Sequence, residues 1–591
     1  MTSARNEEMW FSLYRSQDAL PSIDADEEFD LIVVGSGNGA CGFLSECLKH
    51  VTEDFSVLVL EEGDNLFFSS NITHQNEWGK HYHKRSLFKL HNTVTQSGRP
   101  ILVGRAKTFG GGGSFNYTMI HESSDWLAKQ AGRDEAYWDL CKKELNEKFK
   151  RPDPLKEGYQ TLFANFIADN AQKAGYSPPS RQDMIENIPS VRNSESKKLY
   201  FFPSQFDRFG CRTNSGVSLV NWDRVTYRCN TCVLGLIMGN NKTEGNDIAC
   251  TGVKARNKQG AEVIYKVKAT GRVILCGGSQ SPRLLLKTKL ADSNERIGQR
   301  VNDHICMLLG LYLVEDTAPP VGKTDIYESM FAKTVIESDT EDQNDEKTQA
   351  EQTVVGIDFF SGQLTHLLFM SNFYLAFLPF NFIKRLMAKY PIIYEVLSRS
   401  LRIIVTFFVI LIQVLGRALP CFPTSIVVTT SLVKFNASKE GYYERDSDRI
   451  ILRFFEDERD YDIAEEFINN NLDFLESNGK KLPFLVRFLL QIVTRMPYQK
   501  GHQVKRFVRH VARNALVSQQ HLAGGCLLGD AVDMGIEDNS KTGLVFGSTN
   551  LHVADLSIVP LPRVSTQMTA YLMGHHVAKQ LFSVQEKQLI V

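Results

Sequence analysis

The chain has 591 residues, 43% hydrophobic and 23% charged, an ordinary balance for a folded globular protein. That length exceeds what one hydrophobic core organises, so two domains are expected. A net charge of −1 argues against nucleic acid as a partner, and eleven scattered cysteines argue against a disulfide scaffold. Residues 1–28 are polar and acidic and lack an apolar signal core, which predicts a surface leader on an intracellular protein, cytoplasmic or peripherally membrane-associated. Next, "FDLIVVG" (29–35) is a continuous apolar run closing on glycine, the pattern of a buried parallel strand. "GNGACGFLSECLKH" supplies a glycine turn and a helix, and "FSVLVLEEG" (55–63) a second buried strand ending in acid. Together they predict a βαβ unit. Cys229 and Cys232 form a C-x-x-C pair without a second pair at zinc spacing, so no metal centre is expected. "RVILCGG" (272–278) predicts another buried strand. Residues 334–353 hold seven acids and one base and predict a solvated loop.

Gly35-Ser36-Gly37-Asn38-Gly39-Ala40 fits G-x-G-x-x-[G/A]. Gly35 permits the tight turn, Gly37 lets a pyrophosphate approach the backbone, and Ala40 lets helix and strand pack closely. Glu61 closes the second strand, where a carboxylate can accept hydrogen bonds from a ribose. This fingerprint suits NAD or FAD. "GRAKTFGGGGSFNYTM" (104–119) favours FAD, because a glycine run costs backbone entropy and suits a chain lying flat against a broad, extended cofactor.

With these pieces in order, the chain resembles the glucose-methanol-choline (GMC) flavoprotein oxidoreductases. The FAD-binding start is matched by "VVGSGNGACG" with Glu61. "GRAKTFGGGGSFN" resembles the family's G-G-S-S-x-x-N, with Gly111, Gly112 and Asn116 in that segment. "CGGSQSPRLLL" (276–286) resembles the S-P-x-x-L signature, "IGQRVNDH" (297–304) the G-x-x-L-x-D-H stretch, and "NLHVADLSIVP" (550–560) the N-L-x-V-x-D-x-S-x-x-P segment holding Asp555. Met119 and Val233 complete the cofactor set that the resemblance implies. "HLAGGCLLG" (521–529) looks nearest to cholesterol-oxidase-like members. The resemblance implies a Rossmann-like FAD domain, discontinuous in sequence, with an α+β substrate-binding domain. FAD parts would be 29–125, 206–310 and 511–591, with a substrate or lid segment at 126–205 and the substrate domain at 311–510.

It also implies alcohol oxidation. His521 would take the hydroxyl proton, with the Gly524-Gly525 turn giving its ring room. His304, His552, His575 and His576 read as structural. The chain departs from the family at Thr566, where a second His or Asn is usual; Gln567 beside it could substitute if the loop shifts. Other chemistry on the same scaffold, a lyase or a decarboxylase, stays open, as does a flavoprotein impaired in turnover. The substrate would be a small-molecule alcohol, apolar or lipid-like, and the electron acceptor O2 or another oxidant. The insert 359–422 carries two apolar stretches of 25 and 14 residues without charge, with Lys384, Arg385, Lys389, Arg399 and Arg402 between them. It reads as a monotopic plate giving peripheral contact with an anionic membrane; the alternatives are a buried core with a basic turn, or a true span. As a helix the shorter stretch would be about 21 Å long.

Overall fold

The structure is a computed structural model. It describes residues 27–66, 69, 86–114, 124–148, 172, 198–201, 216–242, 247–315, 330–336, 353–363, 375, 380–418, 426–477, 500–562 and 565–582. The first layer is built from strand β1 (Glu28–Val34), helix α1 (Asn38–His50) and strand β2 (Val57–Leu60). Leu31, Ile32 and Val33 are fully buried, as expected of a parallel strand covered on both faces. β1 pairs in parallel with β2 and with the long strand Glu262–Leu275; β2 pairs in parallel with Thr226–Arg228. Strand Leu551–Val553, from the far end of the chain, runs parallel to the end of Glu262–Leu275, while strands Ile248–Arg256 and Cys232–Lys242 extend the sheet in antiparallel pairing. Three separated chain segments thus close one sheet, the doubly wound pattern that positions ligands at carboxyl ends of strands. A C-terminal helix, Gln567–Phe582, is buried along nearly its whole length and packs on α1. It is buried although it carries polar residues, and its His575 and Lys579 are paired with Glu144.

The second layer is an antiparallel sheet. Its order is Val517–Ser518, His304–Glu315, Ile426–Asn436, Thr353–Gln363, Met330–Ile336 and Lys198–Phe201. A third sheet of five short strands joins Gln299–Val301 and Gly441–Tyr443 to Asn92–Thr95 and Pro100–Ile101 through Arg449–Leu452. Residues 334–336 and 353 lie in strands of the second sheet, so the acidic stretch is not wholly loop; 337–352 lie outside the described residues. Residues 359–363 of the apolar insert also belong to a strand, paired with Val427–Ser431 across the sheet. The backbone groups there are paired with that strand, so this part of the insert is sheet and not membrane plate.

The rest of the insert is helical. Two helices, α2 (Asn381–Lys389) and α3 (Pro391–Ala418), follow one another, and α3 runs for 28 residues, about 42 Å. It is twice the length of the 14-residue apolar stretch because it runs through Arg402 and Arg399 back to Pro391; long basic side chains are good helix formers. No helix among the described residues is long and apolar enough to cross a membrane. Met387 and Tyr394 anchor the pair in a small core with Leu102 and Leu375.

Candidate active site

A cleft of about 610 Å³ is lined by Gly35–Gly39 and Glu61, by Gly104–Ala106, by Val233 and Gly277–Gln280, and by Gln519–Leu522 and Ser565–Gln567. Its glycine-rich wall follows from the sequence. α1 begins at Asn38 behind an N-cap glycine, and no side chain caps its first turn. The open N–H groups and positive helix end suit a phosphate. Gly111 sits at φ +54°, and a Cβ there would lie 2.9 Å from Gly37 Cα. The two glycine motifs therefore meet backbone to backbone, a contact no other residue permits.

Glu61 locks this corner. Its Oε2 accepts from Ser36 N at 3.1 Å and Ser36 Oγ at 2.7 Å, and its Oε1 accepts from Gly63 N at 2.7 Å. Gly110 N donates to Ser36 Oγ at 3.0 Å, which ties in the second glycine segment. Burial pushes the Glu61 pKa up while these donors oppose the shift. A carboxylate offers about four acceptor positions, so one remains at Oε1 for a ribose hydroxyl. Asn38 Oδ1, on the same wall, is buried without a hydrogen-bond partner. An uncapped helix end, a flat glycine wall and a spare acceptor fit an extended dinucleotide.

Gly35, Gly37, Glu61, Gly111, Gly112, Val233 and Asp555 all line the cleft. Ala40 lies beneath it, fully buried in α1, where it packs the helix on the sheet. Asn116 and Met119 lie outside the described residues. Asp555 differs from the expectation. Its Oδ2 accepts from Gly278 N at 2.7 Å and Ser281 Oγ at 2.6 Å, and its Oδ1 from Ser557 N and Oγ. All four acceptor positions are used inside the protein, so its carboxylate joins two cofactor-facing loops.

At the other wall stands His521. Its Nδ1 lies 2.7 Å from Nδ1 of His304, and the rings meet edge to face at 82°. His304 Nε2 lies 2.9 Å from the carbonyl oxygen of Pro562. A carbonyl can only accept, so His304 Nε2 carries the proton. In neutral His304, Nδ1 is then an acceptor, and His521 Nδ1–H donates to it. The lone pair of His521 is thereby assigned to Nε2. His304, expected to be structural, orients the candidate base. The motif carrying it was legible, but the contact joins residues 217 apart and had no sequence signal.

The glycine turn after His521 also differs from the expectation. A Cβ on Gly524 (φ +83°) would lie 2.0 Å from Arg300 O, and one on Gly525 (φ +97°) 2.7 Å from Pro282 Cγ. The turn does not clear space for the imidazole. It lets three motifs pack together, so that His304 reaches His521. Gln520, just before His521, holds φ +69°, a strained backbone for a side-chain-bearing residue. Its Oε1 accepts from Gly104 N at 2.9 Å, and its own N donates to Ser518 Oγ at 2.7 Å. Thr566 and Gln567 both line the cleft beside this wall, at the start of the C-terminal helix. His91 lines it too, with Nε2 3.0 Å from Ser279 Oγ; burial holds its pKa well below the usual range. Nothing in the sequence singled it out.

Asp303 supports the same loop. Its Oδ1 accepts from His521 N at 2.9 Å, its Oδ2 accepts from Ser518 Oγ, and burial pushes its pKa up to about 7. A raised carboxyl pKa stabilises the fold below the unfolded value, near pH 4, and that stability is lost as pH rises through about 7. Asp303→Asn keeps an acceptor for His521 N and removes the titration. Its unfolding free energy, read from urea titration, should exceed that of the native protein above pH 8, by up to about 4 kcal/mol, and converge with it near pH 4. Parallel pH profiles for the two proteins would assign the titration elsewhere.

Among the described residues, the remaining histidines lie outside the cleft lining. His552 and His576 are buried, each with its pKa pushed down to about 3 by desolvation. His575 sits with Glu46 and Glu144, and Lys49 and Lys579 neutralise the two acids. Cys229 and Cys232 are free thiols.

A family model described as GMC oxidoreductase, covering its C-terminal part, matches residues 441–574. The alcohol oxidase of Candida boidinii is 23% identical over 341 residues, 49% of this chain and 48% of that protein. The chain thus spans about half the length of that oxidase. A protein of Acanthamoeba polyphaga mimivirus, described as a truncated GMC-type inactive oxidoreductase, is 41% identical over 66 residues, 11% of this chain and 74% of its own length. The structure of formate oxidase from Aspergillus oryzae RIB40 superposes with a TM-score of 0.60 over 96% of this chain and 100% of that one, at 16% identity. At that identity the likeness concerns the fold.

Proposed function

This chain belongs to the GMC oxidoreductase family, and from that premise we propose that it is an FAD-dependent alcohol oxidase or dehydrogenase acting on an apolar or lipid-like alcohol. One observation carries the reading: His521 stands in the wall of the cleft with its Nδ1 bound to His304, which assigns its lone pair to Nε2. Bound FAD supplies a hydride acceptor for the alcohol carbon. The chain supplies the rest. Gly35, Gly37, Gly111, Gly112 and Glu61 would hold the dinucleotide, with Val233 beside them; the roles of Asn116 and Met119 rest on the family resemblance alone. His521 Nε2 takes the hydroxyl proton, and its Nδ1–H keeps donating to His304 before and after the transfer. His304 thereby stabilises the imidazolium. Thr566 presents a hydroxyl that can orient the substrate oxygen with one hydrogen bond.

The reading has a direct test. Flavin absorbance should bleach anaerobically in the dark when alcohols are added, more readily as their chains lengthen. Absence of bleaching across the series, with bleaching or turnover only under light, would favour decarboxylation; alcohol cleavage without net reduction would favour a lyase. Reoxidation by O2 against artificial acceptors then separates oxidase from dehydrogenase. The site of action would be intracellular, with apolar substrate drawn through peripheral membrane contact of the helical part of the insert, 380–418.

His304 gives a second test. Its hydrogen bond to a cationic ring is worth about 1.5–3 kcal/mol. His304→Leu should slow flavin reduction roughly 10- to 150-fold. His304→Asn offers an acceptor at the Nδ1 position and should recover most of that loss. Equal damage from both substitutions, with an unchanged pH profile, would show that His304 only fills space.

A further inference from the structure

We propose that α2 and α3 lie flat on an anionic bilayer, with the apolar stripe of α3 buried among the lipid chains and the cleft opening beside it. The inference stands on surface chemistry and not on the reaction. Eleven of the fifteen exposed large hydrophobic side chains among the described residues fall between 380 and 414. Monomeric surfaces seldom collect so much apolar area in one place. On α3, Ile392, Val396, Ile403, Phe407, Ile410 and Val414 recur at spacings of three, four and seven. They form one stripe along about 33 Å of helix. Ile403 is 70% exposed and Phe407 66%, so the protein's own core does not claim them.

No described helix is long and apolar enough to cross a membrane, yet this face is too apolar for water. A helix lying in the interface plane resolves the conflict, since it buries one face and keeps the other wet. Charge selects the occupant. Residues 380–418 hold six bases against the single acid Glu395, while the whole chain is balanced at −1. Lys384 is buried, Arg385 and Lys389 are exposed on α2, and Arg399, paired with Glu395, is exposed within the stripe between Val396 and Ile403. Phe380 and Phe382 are exposed at the start of α2 and Tyr390 at its junction with α3, where Lys389 Nζ sits 5.1 Å from the Tyr390 ring centre. Aromatic rings with basic neighbours are the side chains that settle at a headgroup boundary. An apolar stripe would equally suit a second copy of the chain; the basic rim fits acidic lipid better than a like-charged copy.

The position of the pair gives the contact a use. Ala388 of α2 lines the cleft, and Met387 packs with Leu102 behind it. An apolar alcohol dissolved in the bilayer would meet the cleft mouth without crossing water.

The test uses the full-length flavoprotein and sedimentation with vesicles. The native protein should pellet with vesicles of phosphatidylcholine containing phosphatidylserine and bind pure phosphatidylcholine more weakly. Ile403→Glu with Phe407→Glu should abolish pelleting. Arg385→Glu with Lys389→Glu should weaken it on anionic vesicles only, by roughly fivefold or more per residue. All four sites are exposed, so flavin content and the reduction rate with a water-soluble short alcohol should stay unchanged. Those controls separate this proposal from the proposed activity: a protein that binds vesicles but oxidises nothing would overturn only the latter. Native protein left in the supernatant with both vesicle types would overturn the docking. So would pelleting that survives Ile403→Glu with Phe407→Glu. A dimer dissolved by the same pair of changes, without vesicle binding, would give the stripe to a second copy.

Discussion

His521→Ala should keep its flavin and lose roughly two to four orders of magnitude in the rate of flavin reduction by alcohol, the usual reach of a general base. The imidazole is held on three sides. Its backbone N donates to Asp303, its Nδ1 faces His304, and the strained Gln520 precedes it in the chain. None of these groups can replace it. His304 has its own Nδ1 turned toward the vacated position and its Nε2 committed to Pro562 O. The cofactor wall at Gly35–Gly39 and Glu61 is built by other segments, so binding should survive. Stopped-flow reduction, with the flavin spectrum as control, checks both parts. A variant reduced at the native rate would move the base elsewhere and leave His521 a packing residue.

Gly524→Ala should be the most damaging single methyl in this region. The position has φ +83°, which costs an ordinary residue about 1–2 kcal/mol. The added Cβ would also lie 2.0 Å from Arg300 O, a backbone atom that cannot rotate away. Arg300 is held by Glu440 and Asp530, and its own φ is +58°. Either the turn opens or the Gln299–Val301 strand moves, and both break the Asn302–Ala523 pairing that holds His521 beside His304. A loss of about 3–5 kcal/mol is expected, the range of severe core lesions. The measurable outcome is a lowered urea midpoint together with slow flavin reduction in whatever folds. Gly501→Ala is the control, since it has the same φ of +83° and a Cβ there meets nothing within 4 Å. Equal tolerance of the two substitutions would mean that the turn is not rigid.

What the sequence determined alone was local or repetitive. The run 29–35, the fingerprint from Gly35 to Ala40 and the acid at Glu61 announce a βαβ unit because periodicity and turn chemistry are properties of neighbouring residues. The glycines at 110–113 signalled a close backbone approach, and the ordered family motifs pointed to His521. The partner of each contact was beyond reach, because contacts between distant segments leave no period to read. Only the tertiary structure set Gly111 against Gly37, turned Asp555 inward onto its own loops, and placed Arg300 over Gly524. It also decided the insert. Residues 359–363 share the lack of charge of the stretch that follows, yet strand pairing claims them, whereas α3 has no strand to join and leaves its apolar stripe outside. Hydrophobicity says that a surface must be covered; only packing says by what. The tautomer of His521 belongs to the same class: imidazole chemistry is written in the residue, but which nitrogen keeps the proton is set by Pro562, two contacts away through His304.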